Sequence, residues 1–344
     1  MRIRAEKRIE PEMKKTDVSC KVLNLRQTAN FLKKHDNFVI LTHTSPDGDT
    51  LGAAYALFYG LKEMGKCAEV ICPDVIPAKY GYFIKETDHI KRENAVIVAV
   101  DVADKRLLGS LEEEFGDIVD LNIDHHISNT MYAKNLYLDA AASATCEIIF
   151  ELFEKMKINI DTVAAKALYT GIATDTGCFK YTNVTGKTHL IAASLYDFDI
   201  KAAEINKIMF DTKSRKLLEL ERMVLDTAEY HFDNKCIVLT VTAEMQEKTG
   251  CSGPDLEGIA VISRSVEGVT AGVTIKQINT DEYKISLRTY SPLDASKICR
   301  KIGGGGHIAA AGANLKGSLN EVKAKLLAAV KEAMEEAYGR TYPD

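Results

Sequence analysis

The sequence predicts an α/β chain with two domains. The first is a largely parallel sheet flanked by helices. A helical linker leads to a smaller C-terminal α/β domain with a mixed sheet. Three observations carry this expectation. Short Val- and Ile-rich runs of strand length alternate with helical patterns in the first third of the chain. A mostly helical stretch follows. From residue 228 onward the runs alternate apolar and polar residues, as strands of a mixed sheet do.

In order, residues 1–20 form a polar, heavily charged stretch that reads as a mobile N-terminal tail. "VLNLRQTANFLKKH" reads as an amphipathic helix. "NFVILT" (37–42), "CAEVIC" (67–72), "AVIVAV" (95–100) and "DIVDLNI" (117–123) read as strands buried on both faces. A helical pattern spans Gly52–Met64 between the first two. Residues 146–227 contain "CEIIFELFEKM", "DTVAAKALYTGIA", "HLIAASLYD", "KAAEINKIM" and "SRKLLELERMVLDTA", all helical in period. "HFDNKCIVLTV", "VTAGVTIKQI" and "YKISLRTY" follow as strands, and "LNEVKAKLLAAVKEAMEEAYG" as a closing helix. The domains expected are 21–212 and 228–344, joined by a linker helix over 213–227.

With 344 residues the chain can bury two cores, and its net charge of −5 gives it no general attraction for nucleic acid. The N-terminus lacks the apolar segment of a secretory signal, and no apolar run reaches membrane-spanning length. Eight scattered cysteines without a C-x-x-C pair fit reduced thiols in the cytoplasm.

Acids and histidines fall at related places. "VILTHTSPDGDTLG" puts His43, Asp47 and Asp49 in the turn after the first strand. "VIVAVDVAD" ends a strand on Asp101. "VDLNIDHH" ends another on Asp124, His125 and His126. "YTGIATDTG" puts Asp175 after a helix, in a Gly/Thr turn. Ligands of open α/β sheets bind outside the carboxyl ends of the strands, so three strands deliver these groups to one edge. Each motif alone reads equally as a turn or a helix cap. Their joint placement does not. Five carboxylates without a Lys or Arg in these motifs repel one another, and divalent metal is the simplest remedy. Mixed carboxylate and imidazole donors suit manganese, and their number exceeds one coordination sphere, which implies two ions.

Other motifs fail their own tests. "TGKT" (185–188) has Tyr181 where a P-loop needs glycine, and "DGD" has Phe58 where a calcium loop needs glutamate. "NVT" (183–185) is a glycosylation sequon with no use in a cytoplasmic protein. In the second domain, Gly303, Gly304, Gly305 and Gly306 offer unobstructed backbone amides to a phosphate, with His307 next. Read alone, the glycine run is equally a flexible loop and Arg288 an ordinary exposed strand charge; Arg288, with Arg264 the weaker, is a further phosphate candidate. Phe179 and Tyr181 read either as rings that stack on a base or as packing.

These residues carry a pattern. "THTSPDGDTLG", "VAVDVAD", "NIDHH" and "ATDTG", in this order, resemble the DHH phosphoesterase family, named for the triplet at 124–126. "YKISLRTYSPLDASKICRKIGGGGHIAAAG" is similar to its associated DHHA1 domain. The resemblance covers roughly 25–340 and, in its two-domain length, is similar to the NrnA-type enzymes. It implies one ion held by His43, Asp47 and Asp101, and a second held by Asp49, Asp101, His125 and Asp175. Asp124 would orient a histidine, and His126 would face the scissile phosphate. Arg288, Arg264 and the Gly303–His307 run would bind substrate.

The function this implies is hydrolysis of short oligoribonucleotides to mononucleotides, and of the 3′-phosphate of adenosine bisphosphate (pAp), by metal-activated water. Phosphodiesterase action on cyclic di-AMP or linear pApA is the enzymatic alternative, and a nucleotide-binding sensor the non-enzymatic one. The partners expected are short RNA and nucleotides, not long duplexes or membranes; a homodimer is compatible with this reading.

Overall fold

The computed structural model describes residues 20–256, 258–306 and 308–342. The expected tail, apart from Cys20, and the expected substrate residue His307 lie outside them. The chain divides into two units, Met1–Thr212 and Lys213–Asp344.

The first unit is built on six parallel strands. They are β1 (Lys21–Val22), β2 (Phe38–Leu41), β3 (Ala68–Ile71), β4 (Val96–Val100), β5 (Leu121–Asp124) and β6 (Asn135–Leu138). Their order is β1-β6-β5-β4-β2-β3. The continuous apolar runs have the expected cause. Phe38 and Ile40 of β2 enter the core on one face, Val39 and Leu41 the core on the other. The first helix starts later than its periodicity suggests. Val22 pairs with β6, and α1 (Leu25–Lys34) opens only after Asn24, whose side chain forms a capping box with Gln27.

The other helices are α2 (Gly48–Glu63), α3 (Glu112–Phe115), α4 (Thr145–Met156), α5 (Thr162–Asp175), α6 (Gly186–Leu195) and α7 (Ala202–Asn206). On one face of the sheet, α2, α4 and α5 bury Leu57, Leu61, Ile148, Phe153, Leu168 and Ile172. Leu108, Phe115 and Val119 cover the other face. Two glycines bring α2, α4 and α5 close together. A Cβ at Gly52 would stand 2.5 Å from the Ala167 carbonyl oxygen, and one at Gly171 2.2 Å from Cys146 Sγ. No larger residue fits without moving a helix.

In the second unit, α8 (Arg215–Leu225) buries Leu220 and Val224 against Ile237 and Leu239. The helix read as a linker is thus part of this unit's core. There follow β7 (Glu229–His231), β8 (Cys236–Val241), α9 (Ala243–Thr249), α10 (Ile259–Ile262), β9 (Ala271–Gln277) and β10 (Glu282–Thr289). The unit closes with α11 (Ala295–Lys301), β11 (Gly305–Gly306), β12 (Ala310–Lys316) and α12 (Leu319–Tyr338). The sheet order is β11-β12-β10-β9-β8-β7, mixed because only β8 and β9 run parallel. Ile298, Leu326 and Val330 of α11 and α12 cover one face. No helix among the described residues is long and apolar enough to cross a membrane.

Candidate metal centre

The order of the first sheet reverses between β2 and β4, so their carboxyl ends open a crevice. The acids and imidazoles meet there. Asp47 is the N-cap of α2: its Oδ1 accepts the amides of Asp49 and Thr50, both at 3.0 Å. Asp49 lies in the first turn of α2. Asp101 is the first residue beyond β4, in the left-handed region at φ 61° and almost fully buried. Asp124 ends β5, with His125 and His126 next. Asp175 is the last residue of α5, one step inside the helix rather than in the turn beyond it.

Three sets of donor atoms converge: His43 with Asp47 and Asp101, Asp49 with His125 and Asp175, and Asp101 with His125 and His126. His43 Nε2 is 3.7 Å from Asp47 Oδ1 and 3.6 Å from Asp101 Oδ2. His125 Nε2 is 3.5 Å from Asp175 Oδ2, 3.6 Å from Asp101 Oδ1 and 3.9 Å from Asp49 Oδ2. These separations are too long for hydrogen bonds. Three of the five, at 3.5–3.6 Å, match ligands of a common ion, since donors about 2.0–2.2 Å from one centre stand about 3–3.6 Å apart, and the 3.7 and 3.9 Å pairs are slightly wider. The two oxygens of Asp101 face different imidazoles, Oδ2 toward His43 and Oδ1 toward His125.

The imidazoles are held in one tautomer. Nδ1 of His43 donates to the Thr44 carbonyl at 2.7 Å, and Nδ1 of His125 to the Ala142 carbonyl at 3.2 Å. Each Nε2 is left to face the carboxylates. For His125 that atom is buried without a hydrogen-bond partner, which is costly unless something fills the centre. The residues present therefore fit divalent cations.

Asp124 faces a different set of groups. Its Oδ1 accepts Nδ1–H of His126 at 2.8 Å and the amides of His125 and His126, and its Oδ2 accepts the side chain of Asn129 at 2.6 Å. Asn129 also donates to Asn122 Oδ1 at 2.7 Å. With both oxygens engaged, Asp124 orients His126, while His125 is oriented by a carbonyl. Sequence reasoning missed Asn129, although it stands only five residues from Asp124.

The charges conflict. Burial, then repulsion from Asp101, Asp175 and Asp47, pushes the Asp49 carboxyl well up. Burial, helped by Asp101 and Asp47 and opposed by His125 and His126, raises Asp175 to about 7. Burial opposes the charge on His43, but the carboxylates of Asp101 and Asp47 overcome it and raise the ring to about 11. His126 is raised to about 9: burial works against its charge, and Asp124 and Asp101 outweigh it. Burial also works against the Asp124 charge, yet hydrogen bonds from His126 and Asn129 hold its carboxyl below the usual range. The cluster thus retains protons where a cation would displace them.

In the second unit, Arg288 on β10 pairs with Ala310 of β12, and Gly306 with the neighbouring Ala311. Arg288 also pairs with Gly272, whose backbone packs on Ser263 beside Arg264. The Arg264 guanidinium lies 5.7 Å from the Tyr290 ring centre. The glycine run is less open than expected. A Cβ at Gly304 would meet the Gly312 carbonyl oxygen at 2.1 Å, and one at Gly306 the Ala311 Cα at 2.6 Å. These two glycines admit β12, while Gly303 and Gly305 have open space around them. Phe179 packs on the first core and stacks on His189 at 5.4 Å, whereas Tyr181 is exposed.

A parallel sheet with carboxylates and imidazoles at its switch point, followed by a separate mixed-sheet domain, defines a two-domain phosphoesterase. The pattern of the DHH family, N-terminal domain, matches residues 37–172, and that of the DHHA1 domain matches residues 233–336. The chain belongs to the DHH family, in its form with a DHHA1 domain. It is 31% identical to the bifunctional oligoribonuclease and PAP phosphatase NrnA of Thermus thermophilus, over 91% of this chain and 95% of that one. It is 25% identical to the protein of the same name from Bacillus subtilis, over 82% of this chain and 90% of that one. In fold it is similar to the crystal structure of an exopolyphosphatase-related protein from Bacteroides fragilis, with a TM-score of 0.80, 24% identity and coverage of 91% and 95%.

Proposed function

We propose that this chain hydrolyses very short oligoribonucleotides to mononucleotides and removes the 3′-phosphate of pAp, using two divalent ions, manganese foremost. One observation carries the reading: His125 Nε2, buried and unpartnered, faces three carboxylates at 3.5–3.9 Å. The printed activities of the Thermus and Bacillus relatives support the substrates. His43, Asp47 and Asp101 would hold one ion; Asp49, Asp101, His125 and Asp175 the other, with Asp101 shared.

When bound, the ions supply Lewis acidity to the phosphoryl oxygens and lower the proton affinity of water. The chain's own groups do the rest. Asp124 keeps a proton on Nδ1 of His126, which leaves Nε2 as the ring's remaining donor to a phosphoryl oxygen. Held in this way beside the Asp124 carboxylate, the ring would donate to the charge that grows on that oxygen. Arg288, Arg264 and the Gly303–Gly306 run, with His307, are proposed to bind a phosphate or nucleotide; Arg288 and Gly306 both adjoin the start of β12, which supports this. Eight free thiols fit a reducing cytoplasm.

The test is a set of initial rates with manganese on a diribonucleotide, pAp, cyclic di-AMP and a 24-mer at equal concentration, repeated with chelator. The first two should be fastest and chelator should stop them. Faster cyclic di-AMP would move the substrate assignment to cyclic dinucleotides. Undiminished rates in chelator would sink the metal mechanism.

A further inference from the structure

In the segment Ala142–Cys146, Ala142, Thr145 and Cys146 touch the second cluster of donors directly, and Ser143 does so through Asn183. The Ala142 carbonyl holds Nδ1 of His125 at 3.2 Å. The Ser143 carbonyl accepts the Asn183 side chain at 3.0 Å, and the same amide reaches the Asp175 carbonyl at 3.1 Å. The amides of Thr145 and Cys146 donate to the two oxygens of Asp49 at 2.6 and 2.9 Å. The Thr145 hydroxyl, fully buried, donates to Asp101 Oδ1 at 2.8 Å. That is the oxygen facing His125, not the one facing His43.

The local sequence explains this geometry. The N-cap of α4 is Ala144, which has no oxygen to offer the first free amides of the helix. Asp49, nearly a hundred residues away, takes them instead. Its carboxylate is thereby fixed in the crevice with lone pairs to spare. The hydroxyl of the first helical residue then fixes the neighbouring acid.

We infer that Thr145 and Asn183 are positioning residues that set one of the two ion sites, the one made by Asp49, Asp101, His125 and Asp175. This rests on the two-ion reading above. Thr145 removes one rotational freedom from the shared carboxylate, and Asn183 ties the end of α5 to the segment that holds His125. The site of His43 and Asp47 is held by other contacts: the Thr44 carbonyl and the amides at the start of α2. Loss of Thr145 or Asn183 should therefore empty one site before the other.

The experiment is manganese titration of the purified full chain, followed by calorimetry and by the electron-spin signal of free manganese, for wild type, Thr145→Val, Thr145→Ser and Asn183→Ala. Wild type should bind two ions. Thr145→Val and Asn183→Ala should keep one and bind the other at least tenfold more weakly, in the range known for partners of metal ligands. Thr145→Ser, which keeps the hydroxyl, should bind both. Turnover of Thr145→Val should recover with excess manganese while KM stays within about twofold of wild type. Wild-type affinities in both weakened variants, or a Ser variant as weak as Val, would overturn the inference and leave two ions standing. A wild type that binds fewer than two ions would overturn the two-ion reading itself. Should Thr145→Val not fold, Asn183→Ala, at an exposed loop position, decides alone.

Discussion

Asp124 accepts the Nδ1 proton of His126 at 2.8 Å while its other oxygen is clamped by Asn129. The pair behaves as one unit. A carboxylate held below its usual range cannot donate, so the proton stays on the ring and the ring stays turned the same way.

His126→Ala should lower kcat by about 10²–10³-fold, as loss of one fixed donor does elsewhere, with two ions still bound. Asn129→Ala should act through the same unit more gently. It leaves Asp124 Oδ2 buried without its partner, which costs about 1–3 kcal/mol of stability, and it should lower kcat about tenfold. Melting curves and steady-state rates check both. Normal turnover in His126→Ala would remove that ring from the chemistry.

Asp101→Asn should fold normally and lose turnover. Its left-handed backbone at φ 61° is one that asparagine tolerates, so the exchange removes charge without adding strain. Asp101→Val would add about 1–2 kcal/mol of strain as well. Metal content and circular dichroism separate the two effects. Full occupancy and near-normal rate in Asp101→Asn would end the idea of a shared carboxylate.

The metal-free chain should lose stability as pH rises. Asp175 moves from 3.8 to about 7 on folding, so the folded state holds the extra proton between those values and loses that advantage on the way up. His43, raised from 6.5 to about 11, and His126, raised to about 9, act in the same direction at higher pH. Cations displace the protons held by Asp175 and His43, so manganese affinity should rise with pH and binding should release protons to the buffer. Melting temperatures in chelator at pH 6, 7.5 and 9 should fall in that order. A rise would reverse the assigned signs.

Arg288→Ala should raise KM for dinucleotide and pAp at least tenfold and spare a small artificial phosphoester. Parallel KM and kcat measurements on both kinds of substrate decide. Equal damage to the two would place Arg288 in the chemistry rather than in recognition.

The sequence makes β2 and β4 legible because strands buried on both faces are apolar at every position, and β3 and β5 because Val and Ile dominate the runs around them. It hides β12, whose "AAGANLK" is built of small residues that suit close packing on glycines and carry no strand signature. It hides β6, four residues of ordinary polarity. The acids and imidazoles stand out because they end apolar strands. Thr145, Asn129 and Asn183 do not, because each is a common turn or helix-start residue whose meaning lies in a partner elsewhere. Asn183 reads only as part of a sequon until Ser143 and Asp175 are seen on either side of its amide.

The glycine contacts between α2, α4 and α5 have a further consequence. A Cβ at Gly171 would lie 2.2 Å from Cys146 Sγ and 2.7 Å from Asp49 Oδ1, so it is the missing side chain at this position that lets the carboxylate sit against α5. Asp175 stands four residues further along the same helix, so any side chain added at Gly171 would press on Asp49 one turn away from its fellow acid.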